Sequence, residues 1–405
     1  MRIRHVQSED DLRQAADLVA QAFASPNDPY GRIYEHMLKD VPRDPTYRPE
    51  NLRLVEVDGR IVSHVMVVDR VVRVGGAALR MGGISGVTTH SAHRRRGYMR
   101  ALMEDCLAYM ERQGYDISLL DGIPDFYHRF GYVPVMPEYT LRIPAAEAEK
   151  LAQPLRVRRY KRSDLPALMA LYRADNDRRT GTVVRTEAYW RWRLKRLRHC
   201  WVAVDEQGAV RGYVWLAEPP GFRVIEAAGD GPGVVESLLR FLARRAKAGY
   251  AAEIPLGLPP DHPFARRALA LCGGEATMRV ARNGGWMGRF IGLRGSFERL
   301  AGELGERLCR SAFKDWRGTL RLATNLGTVE LHVAESDEVA VRGETGGRAV
   351  VCALPQTALI QLLFGYRDAA EVAANPDVAI PEEALPLLRA LFPPGHPFIA
   401  EPDYF

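Results

Sequence analysis

Apolar residues near the start of the chain recur with the spacings of a helix and of strands. The segment 3–12 precedes an apolar-periodic run to Phe23, which predicts a short strand, a Ser or Asp cap and an amphipathic helix. Leu52–Val57 and 61–68 are rich in aliphatic residues and are joined through Asp58-Gly59, which is typical of a hairpin turn. This part of the chain therefore predicts a strand, a helix and a β-hairpin.

The pattern continues with further strands on either side of a basic turn and a helix. Segments 71–74 and 79–89 extend the predicted antiparallel meander, and the apolar run 117–120 is typical of a buried parallel strand. Between them, a helix follows the basic turn at 93–97. Its apolar side chains recur at helical spacing, at Met99, Leu102, Met103, Cys106, Leu107 and Met110.

The pattern of the first 150 residues repeats loosely in the middle of the chain. Residues 157–165, followed by a periodic run to Tyr172, again predict a strand, a cap and a helix. A hairpin is predicted at 201–204 and 210–216, and a helix at about 234–247. Two structurally similar domains are therefore expected, joined near 145–154.

A third region, from about residue 291, has a different order of elements. It predicts a helix, two strands, a second helix and a tail rich in proline and aromatic residues, at 296–308, 319–323, 329–333, 354–363 and 392–405. This order is typical of a separate α+β fold. The predicted parts are thus 1–150, 151–290 and 291–405, and the fold class is α/β with this α+β addition.

Composition excludes several classes of protein. Hydrophobic residues make up 47% and charged residues 26% of 405 residues, which is ordinary for a soluble globular protein. The five cysteines are scattered and form no CxxC pair, so neither a zinc site nor a disulfide framework is expected. No apolar stretch is long enough to span a membrane, and the start of the sequence lacks the apolar core of a signal peptide. We therefore expect a cytoplasmic protein without a metal or a membrane partner.

The net charge of +6 is concentrated in the middle of the chain. Its densest run, 191–199, interleaves Trp192, Leu194 and Leu197 with arginines and a lysine. Such spacing is typical of a helix or edge segment whose basic side is solvated or meets an acidic neighbour. We therefore expect no nucleic-acid partner. A regulator that binds nucleic acid through this run remains an alternative, which a salt-dependent gel shift would test.

The segment that carries chemistry is a strand, 84–89, that runs into a basic turn and then a helix. A helix N-terminus presents free N–H groups and the positive end of its dipole, so it binds anions. Arg94, Arg95 and Arg96 add positive charge, and Gly97 lets a ligand approach the backbone closely. A pyrophosphate fits this arrangement. The sequence is neither a P-loop nor a GxGxxG dinucleotide turn.

The turn and two further features resemble a known superfamily. The run Arg94-Arg95-Arg96-Gly97-Tyr98-Met99 resembles motif A of the GNAT N-acetyltransferases, (Q/R)xxGx(G/A), with Met99 in place of Gly or Ala. The three-part layout, the run 127–134 (YHRFGYVP against YxRFGYxP) and the final phenylalanine resemble the Eis (enhanced intracellular survival) branch. The resemblance implies a catalytic GNAT domain, a degenerate GNAT domain and a sterol-carrier-like C-terminal domain.

The resemblance also implies acetyl-coenzyme A as cosubstrate. Backbone amides of the strand before the turn would stabilise the oxyanion and pair with the pantetheine arm. The expected contacts are Gly86, Val87, Thr88, Arg94, Arg95, Arg96, Gly97, Tyr98, Met99, Gly122 and Ile123. In the second repeat the turn 228–233 has no arginine, and Asp230 would repel a phosphate. One cofactor site per chain is therefore expected.

Two residues are expected to handle protons. Tyr127, whose phenol has an ordinary pKa of ~10, would stay protonated and donate to the leaving thiolate. The carboxylate of terminal Phe405 would accept the proton of the amine, strengthened as a base by burial. A water relayed by His128, or an acid near Asp121 or Asp125, remains an alternative base. The pair His90 and His93 is interpreted as structural.

The resemblance implies an amine acceptor that is polycationic, such as an aminoglycoside, or a lysine side chain. Acidic residues permissive for such an acceptor are Asp28, Glu35, Asp40, Asp44, Glu401 and Asp403. The branch also implies a homo-hexamer. In an alternative, the C-terminal domain binds a lipid or another hydrophobic ligand and the GNAT domains are a scaffold. Removal of Phe405 separates the two, since only acetyl transfer would be lost.

Overall fold

The computed structural model describes the chain in six stretches: 1–193, 199–217, 222–229, 231–334, 338–343 and 347–405. Residues 194–198 of the basic run and Asp230 therefore lie outside the described residues. The strands of these stretches form two seven-stranded sheets and one four-stranded sheet. This mixed α/β architecture, with an α+β region towards the C-terminus, confirms the predicted fold class.

The N-terminal elements follow the predicted order. The Ser8 side chain accepts a hydrogen bond from the Asp11 amide, and the Ser8 amide donates to the Asp11 carboxylate, so the pair caps the first helix. A short helix and a π turn, His36–Asp40, then lead to the sheet. The elements are β1 (Arg2–His5), α1 (Glu9–Phe23), α2 (Tyr30–Glu35), β2 (Leu52–Val57), β3 (Arg60–Val74), β4 (Ala77–Thr89), α3 (Tyr98–Arg112) and β5 (Ile117–Gly122).

One prediction in this region is wrong in detail. Segments 61–68 and 71–74 form the single strand β3 and not two strands. The polar residues between them do not make a turn, because Arg70 is buried and forms an ion pair with Asp44 at 2.5 Å. A satisfied charge can continue inside a strand, whereas an unsatisfied one would have favoured a surface turn.

The first sheet has the order β1-β2-β3-β4-β5-β14-β6. The pair β4–β5 is parallel and all other neighbours are antiparallel. The last two strands are β6 (Val133–Met136) and β14 (Gly285–Phe290). A strand from far along the chain is thus inserted between β5 and β6.

The second sheet has the order β13-β7-β12-β11-β10-β9-β8. Its strands are β7 (Glu138–Pro144), β8 (Arg156–Arg159), β9 (Cys200–Val204), β10 (Val210–Leu216), β11 (Val224–Gly229), β12 (Glu253–Leu256) and β13 (Glu275–Arg279). Its helices are α4 (Ala145–Lys150), α5 (Leu165–Asn176), α6 (Glu187–Arg193), α7 (Val234–Ala248) and α8 (Pro263–Cys272). β7 enters this sheet and β14 the first, so both sheets cross the predicted bounds at 150 and 290, which stay a prediction.

The two repeats share a local ion pair as well as an order of elements. Arg4 of β1 contacts Asp11 of α1 at 2.6 Å. Arg158 of β8 contacts Asp164, just before α5, at 2.7 Å. In both repeats the pair joins the first strand to the start of the helix that follows, which is what the repeated pattern of the sequence predicts.

The third sheet and its helices form the C-terminal region. The sheet has the order β17-β16-β15-β18, and its strands are β15 (Gly318–Thr324), β16 (Gly327–Val333), β17 (Val339–Arg342) and β18 (Val350–Ala353). The helices are α9 (Leu293–Cys309), α10 (Gln356–Leu363), α11 (Ala369–Ala373) and α12 (Leu385–Leu391). In the described part of the chain, no helix combines the length and the apolar character that crossing a membrane requires.

A common hydrophobic core joins the C-terminal region to the first sheet. Phe297 and Leu300 of α9 belong to the same buried cluster as Met81 of β4 and Ile117 of β5. After α12 the tail runs back between the repeats, where Phe398 belongs to the core of the second sheet. Burial of these side chains fixes the path of the last residues towards the first sheet.

Candidate active site

A cavity of about 1180 Å³ opens on the first sheet. Its walls come from α1, α2, β3, β4, the basic turn and the start of α3 on one side. Trp192 and Arg193 of α6 and the final residues Tyr404 and Phe405 complete it. Most of the residues that the sequence assigns to a site therefore face one space.

The cavity lies where β4 and β5 separate. The two strands pair in parallel from Met81 to Gly83 only, while β5 pairs with β14 along its whole length. The edge of β4 that faces β5 therefore has no strand partner from Ile84 to Thr89. Backbone N–H and C=O groups on such an edge are free to bind a ligand in the way a neighbouring strand would.

A bulge in β4 marks the middle of this free edge. The register with β3 shifts between His64 and Met66, and Gly86 has a positive φ of 59°. His64 Nδ1 donates to the Gly86 carbonyl at 2.9 Å. Burial lowers the pKa of His64 to about 4, so its ring is neutral at pH 7. Gly86, Val87 and Thr88 all line the cavity, as the sequence predicts.

The basic turn lies at the next part of the wall. Arg95 and Gly97 have positive φ angles of 60° and 80°, and Gly97 caps α3. The side chains of Arg94 and Arg95 are exposed, line the cavity, and have no acidic partner among the described residues. Tyr98 and Met99 also line it. The turn therefore combines free positive charge with a helix N-terminus, which suits an anion.

Three of the predicted contacts have other surroundings. Arg96 is exposed and does not line the cavity. Gly122 does not line it either; a Cβ there would lie 2.8 Å from the Tyr127 ring, so this glycine makes room for the tyrosine. Ile123 lines the cavity with a largely exposed side chain.

Tyr127 begins a 3-10 turn beyond the end of β5 and is only 7% exposed. Its ring packs edge-on against Phe126 and Tyr132, with centroid distances of 4.9 and 6.3 Å. Its hydroxyl has no hydrogen-bond partner in the described ranges, and the residue lines the cavity. Burial, with a smaller contribution from Asp121, raises the pKa of Tyr127 to about 12. The phenol therefore holds its proton throughout the neutral range.

The alternative acids and bases differ in position. Asp121 lines the cavity, whereas His128 and Asp125 do not. Although water reaches Asp121, partial enclosure raises the pKa of its carboxyl, and Glu138 adds to the effect. Asp125 accepts a hydrogen bond from Asn283 at 3.0 Å.

The last two residues close the cavity on the side of β5. Trp286 of β14 packs against both rings, 4.9 Å from Tyr404 and 5.6 Å from Phe405 between centroids. The Phe405 ring also lies on the backbone of β4, since a Cβ on Gly83 would be 2.5 Å from it. Arg193 donates to the Tyr404 carbonyl at 3.5 Å. Phe405 therefore lies at the point where β4 and β5 part.

Asp403 holds the tail in this position and does not face an acceptor. It is completely buried, and both of its oxygens accept hydrogen bonds from Arg185, at 2.9 and 2.8 Å. Arg185 also binds Glu226 of β11, and Tyr189 donates to Asp403 at 2.9 Å. The expected role of Asp403 in binding an acceptor is therefore wrong, because its charge is already neutralised in the core.

The other acidic residues that the sequence indicated are divided. Asp28 and Asp44 line the cavity, whereas Glu35 and Asp40 do not. Glu401 lies outside the wall and pairs with Arg223. The sequence reasoning missed Trp286, Arg185 and Glu226, because nothing in the local pattern indicates a contact with a tail more than a hundred residues away.

Comparison with known proteins gives the N-terminal part a family. Residues 2–135 match the family model described as acetyltransferase (GNAT) domain. An uncharacterized N-acetyltransferase from Streptomyces griseus is 31% identical over 129 residues. The match covers 30% of this chain and 31% of that protein, so it spans about a third of the length of the curated relative.

Solved structures match the whole chain. A GCN5-related N-acetyltransferase from Anabaena variabilis has a TM-score of 0.75 at 17% identity and covers 100% of both chains. One from Kribbella flavida has a TM-score of 0.74 at 19% identity, covering 100% of this chain and 98% of the other. Eis1 from Mycobacterium abscessus has a TM-score of 0.66 at 17% identity and covers 100% of both. At these identities the likeness is one of fold. The chain belongs to the GNAT acetyltransferases: residues 2–135 are a GNAT acetyltransferase domain within an overall fold shared with Eis1 of Mycobacterium abscessus.

Proposed function

We propose that this chain transfers an acetyl group from acetyl-coenzyme A to a primary amine. The observation that carries the proposal is the meeting of four parts in one cavity: the free edge of β4, the basic turn, Tyr127 and Phe405. Each part answers one need of the reaction, namely holding the thioester, holding its phosphates and moving two protons.

The pyrophosphate of the cosubstrate would bind at the start of α3. Arg94 and Arg95 supply charge, and nothing lies within 4 Å of the position that a Cβ on Gly97 would take. The pantetheine arm would follow the free edge of β4 past Gly86, Val87 and Thr88. Amides on this edge would also stabilise the oxyanion when the amine attacks the thioester carbonyl.

Proton transfer then completes the exchange of bonds. A new N–C bond forms, the C–S bond breaks, and the thiolate takes a proton from the Tyr127 hydroxyl. A phenol with a pKa of about 12 is protonated at neutral pH and can serve as this acid. In a chain that ends at Phe405, the terminal carboxylate accepts the proton of the amine. Asp121 is the alternative base, since it also lines the cavity.

One cosubstrate per chain fits the surroundings of the second repeat. The helix α7 begins after Gly233, which has a positive φ of 76°, just as α3 begins after Gly97. However, Pro154 lies against Gly233, only 2.5 Å from where a Cβ would be. The proline ring therefore covers the N-terminus that a phosphate would need. A lipid-binding role of the C-terminal region and a hexameric assembly stay predictions.

The test combines binding with turnover. Calorimetry should detect binding of acetyl-coenzyme A, and thiol release should depend on an added primary amine. Tyr127→Phe should lower kcat about 100-fold, because the thiolate loses its proton donor, while acetyl-coenzyme A still binds. Tyr139→Phe is the matched control, since Tyr139 is also a buried tyrosine but does not line the cavity. Absence of acetyl-coenzyme A binding, or equal kcat for the two variants, would contradict the proposal.

A further inference from the structure

The carboxylates around the cavity are mostly neutralised by arginines of the same chain. Asp44 contacts Arg70 at 2.5 Å, Asp69 contacts Arg80 at 2.9 Å, and Asp28 lies 3.5 Å from Arg32. These are three of the four aspartates in the cavity wall, and the fourth is Asp121. An acceptor with several ammonium groups would therefore meet few free carboxylates.

Arginines without acidic partners outnumber the free carboxylates of the wall. Within the stretches that the structure describes, five arginines line the cavity and form no ion pair: Arg94, Arg95, Arg100, Arg129 and Arg193. Arg193 is decisive, because it lies beside Tyr404, is only 5% exposed, and its ring contacts are Trp192 and Tyr189. Each further ammonium brought next to these charges would be repelled, most strongly where water is excluded.

Apolar side chains cover the rest of the space next to the tail. Phe23 of α1 is 51% exposed and Tyr404 is 38% exposed, and both line the cavity. Ile33 and Met37, from α2 and the π turn, form the wall between α1 and β3. Exposed aromatic residues that border an apolar wall gain stability when a hydrophobic ligand covers them.

We propose that the acceptor is a primary monoamine on an aromatic or aliphatic body, and not a polycation. This inference rests on the proposed acetyl transfer. The single ammonium group lies towards the terminal carboxylate of Phe405, and the apolar body covers Phe23, Ile33 and Met37. The acceptor class thus differs from the aminoglycosides that the sequence resemblance implies, for a reason of charge.

The test compares acceptors of different charge at one pH and ionic strength. Thiol release should give 2-phenylethylamine a kcat/KM about tenfold or more above those of spermidine and kanamycin, which is the range that one apolar contact surface supplies. Phe23→Ser should raise KM for 2-phenylethylamine several-fold and leave the value for spermidine unchanged. Tyr250→Ser is the matched control, because Tyr250 is an aromatic residue 99% exposed and outside the cavity.

The outcomes separate this inference from the proposed function. If acetyl-coenzyme A does not bind, acetyl transfer itself is wrong. If it binds and spermidine or kanamycin is acetylated as well as or better than 2-phenylethylamine, the monoamine proposal is overturned and acetyl transfer stands. Binding of acetyl-coenzyme A with no transfer to 2-phenylethylamine also overturns it. An equal effect of Phe23→Ser on all acceptors would mean that Phe23 does not contact the apolar body.

Discussion

At the scale of single residues, His64 connects stability to the geometry of the site. The ring is completely buried, its Nδ1 holds the Gly86 carbonyl, and its Nε2 has no hydrogen-bond partner among the described residues. A neutral ring tolerates this environment, whereas a charged ring would be left without solvation. The bulge of β4 therefore depends on a histidine that stays unprotonated.

This dependence predicts loss of stability in mild acid. The pKa of His64 is about 4 in the folded chain against an ordinary value of 6.5, so below pH 6.5 protons bind preferentially to the unfolded chain. The contribution is complete above pH 6.5 and is lost as the pH falls towards 4. Between pH 7.5 and 5.5 it should remove about 1 kcal/mol from the free energy of unfolding.

Urea denaturation at these two pH values measures the effect. His64→Gln should lose less stability between pH 7.5 and 5.5 than the unsubstituted chain does. His262, whose pKa burial lowers to about 3, contributes in the same direction and is retained in both proteins, so the difference reports His64. Identical pH dependence of the two proteins would show that His64 is not the titrating group.

At the scale of elements, the separation of β4 from β5 decides where the tail lies. Pairing ends at Gly83, and the Phe405 ring occupies the space beside that glycine. A strand without a side chain at this one position allows an aromatic ring to pack on its backbone. The glycine is thus part of the mechanism, although no catalytic chemistry is available to it.

A methyl group at this position should displace the tail. Gly83→Ala places a Cβ 2.5 Å from the Phe405 ring, so kcat should fall about tenfold while acetyl-coenzyme A binding stays within about twofold, since a misplaced reacting group costs rate. Gly302→Ala is the matched control, because nothing lies within 4 Å of its Cβ position in α9. Thiol-release kinetics and calorimetry measure both quantities. A kcat unchanged by Gly83→Ala would remove Phe405 from the reaction.

At the scale of the whole molecule, a buried charge cluster ties the C-terminus to the second repeat. Arg185 lies between Asp403 and Glu226, which are 218 and 41 residues away in the sequence. All three side chains are buried, and Tyr189 and Tyr213 donate to the carboxylates. The second repeat, which has no cosubstrate site in this proposal, therefore serves to hold the tail of the third region at the first.

Removal of one charge from the cluster should cost both stability and rate. Asp403→Asn leaves Arg185 with one carboxylate fewer in the core, so the free energy of unfolding should fall by about 3 kcal/mol and kcat by at least about tenfold. Glu401→Gln is the matched control on the same tail: its pair with Arg223 is partly exposed, so the loss should stay below about 1 kcal/mol. Urea denaturation and thiol release are the measurements. Equal losses for the two variants would contradict a special role of the buried cluster.

The sequence by itself determined the local structure and one half of the site. Hydrophobic periodicity depends on which face of a helix or strand is buried, so the elements of the first repeat, its duplication and the basic turn before α3 could be predicted. The motif at 94–99 and the signature at 127–134 indicated acetyl-coenzyme A and Tyr127 because both are contiguous in the chain.

Only the tertiary structure decided which distant residues meet. The exchange of β7 and β14 between sheets, the buried partners of Asp403 and the arginines that neutralise the carboxylates of the cavity depend on the path of the chain. Local patterns encode conformation and burial, whereas contacts between charges far apart in sequence depend on how the elements pack. For this reason Asp403, expected at the mouth of the site, lies in the core, and the charge balance that favours a monoamine could be read only from the folded chain.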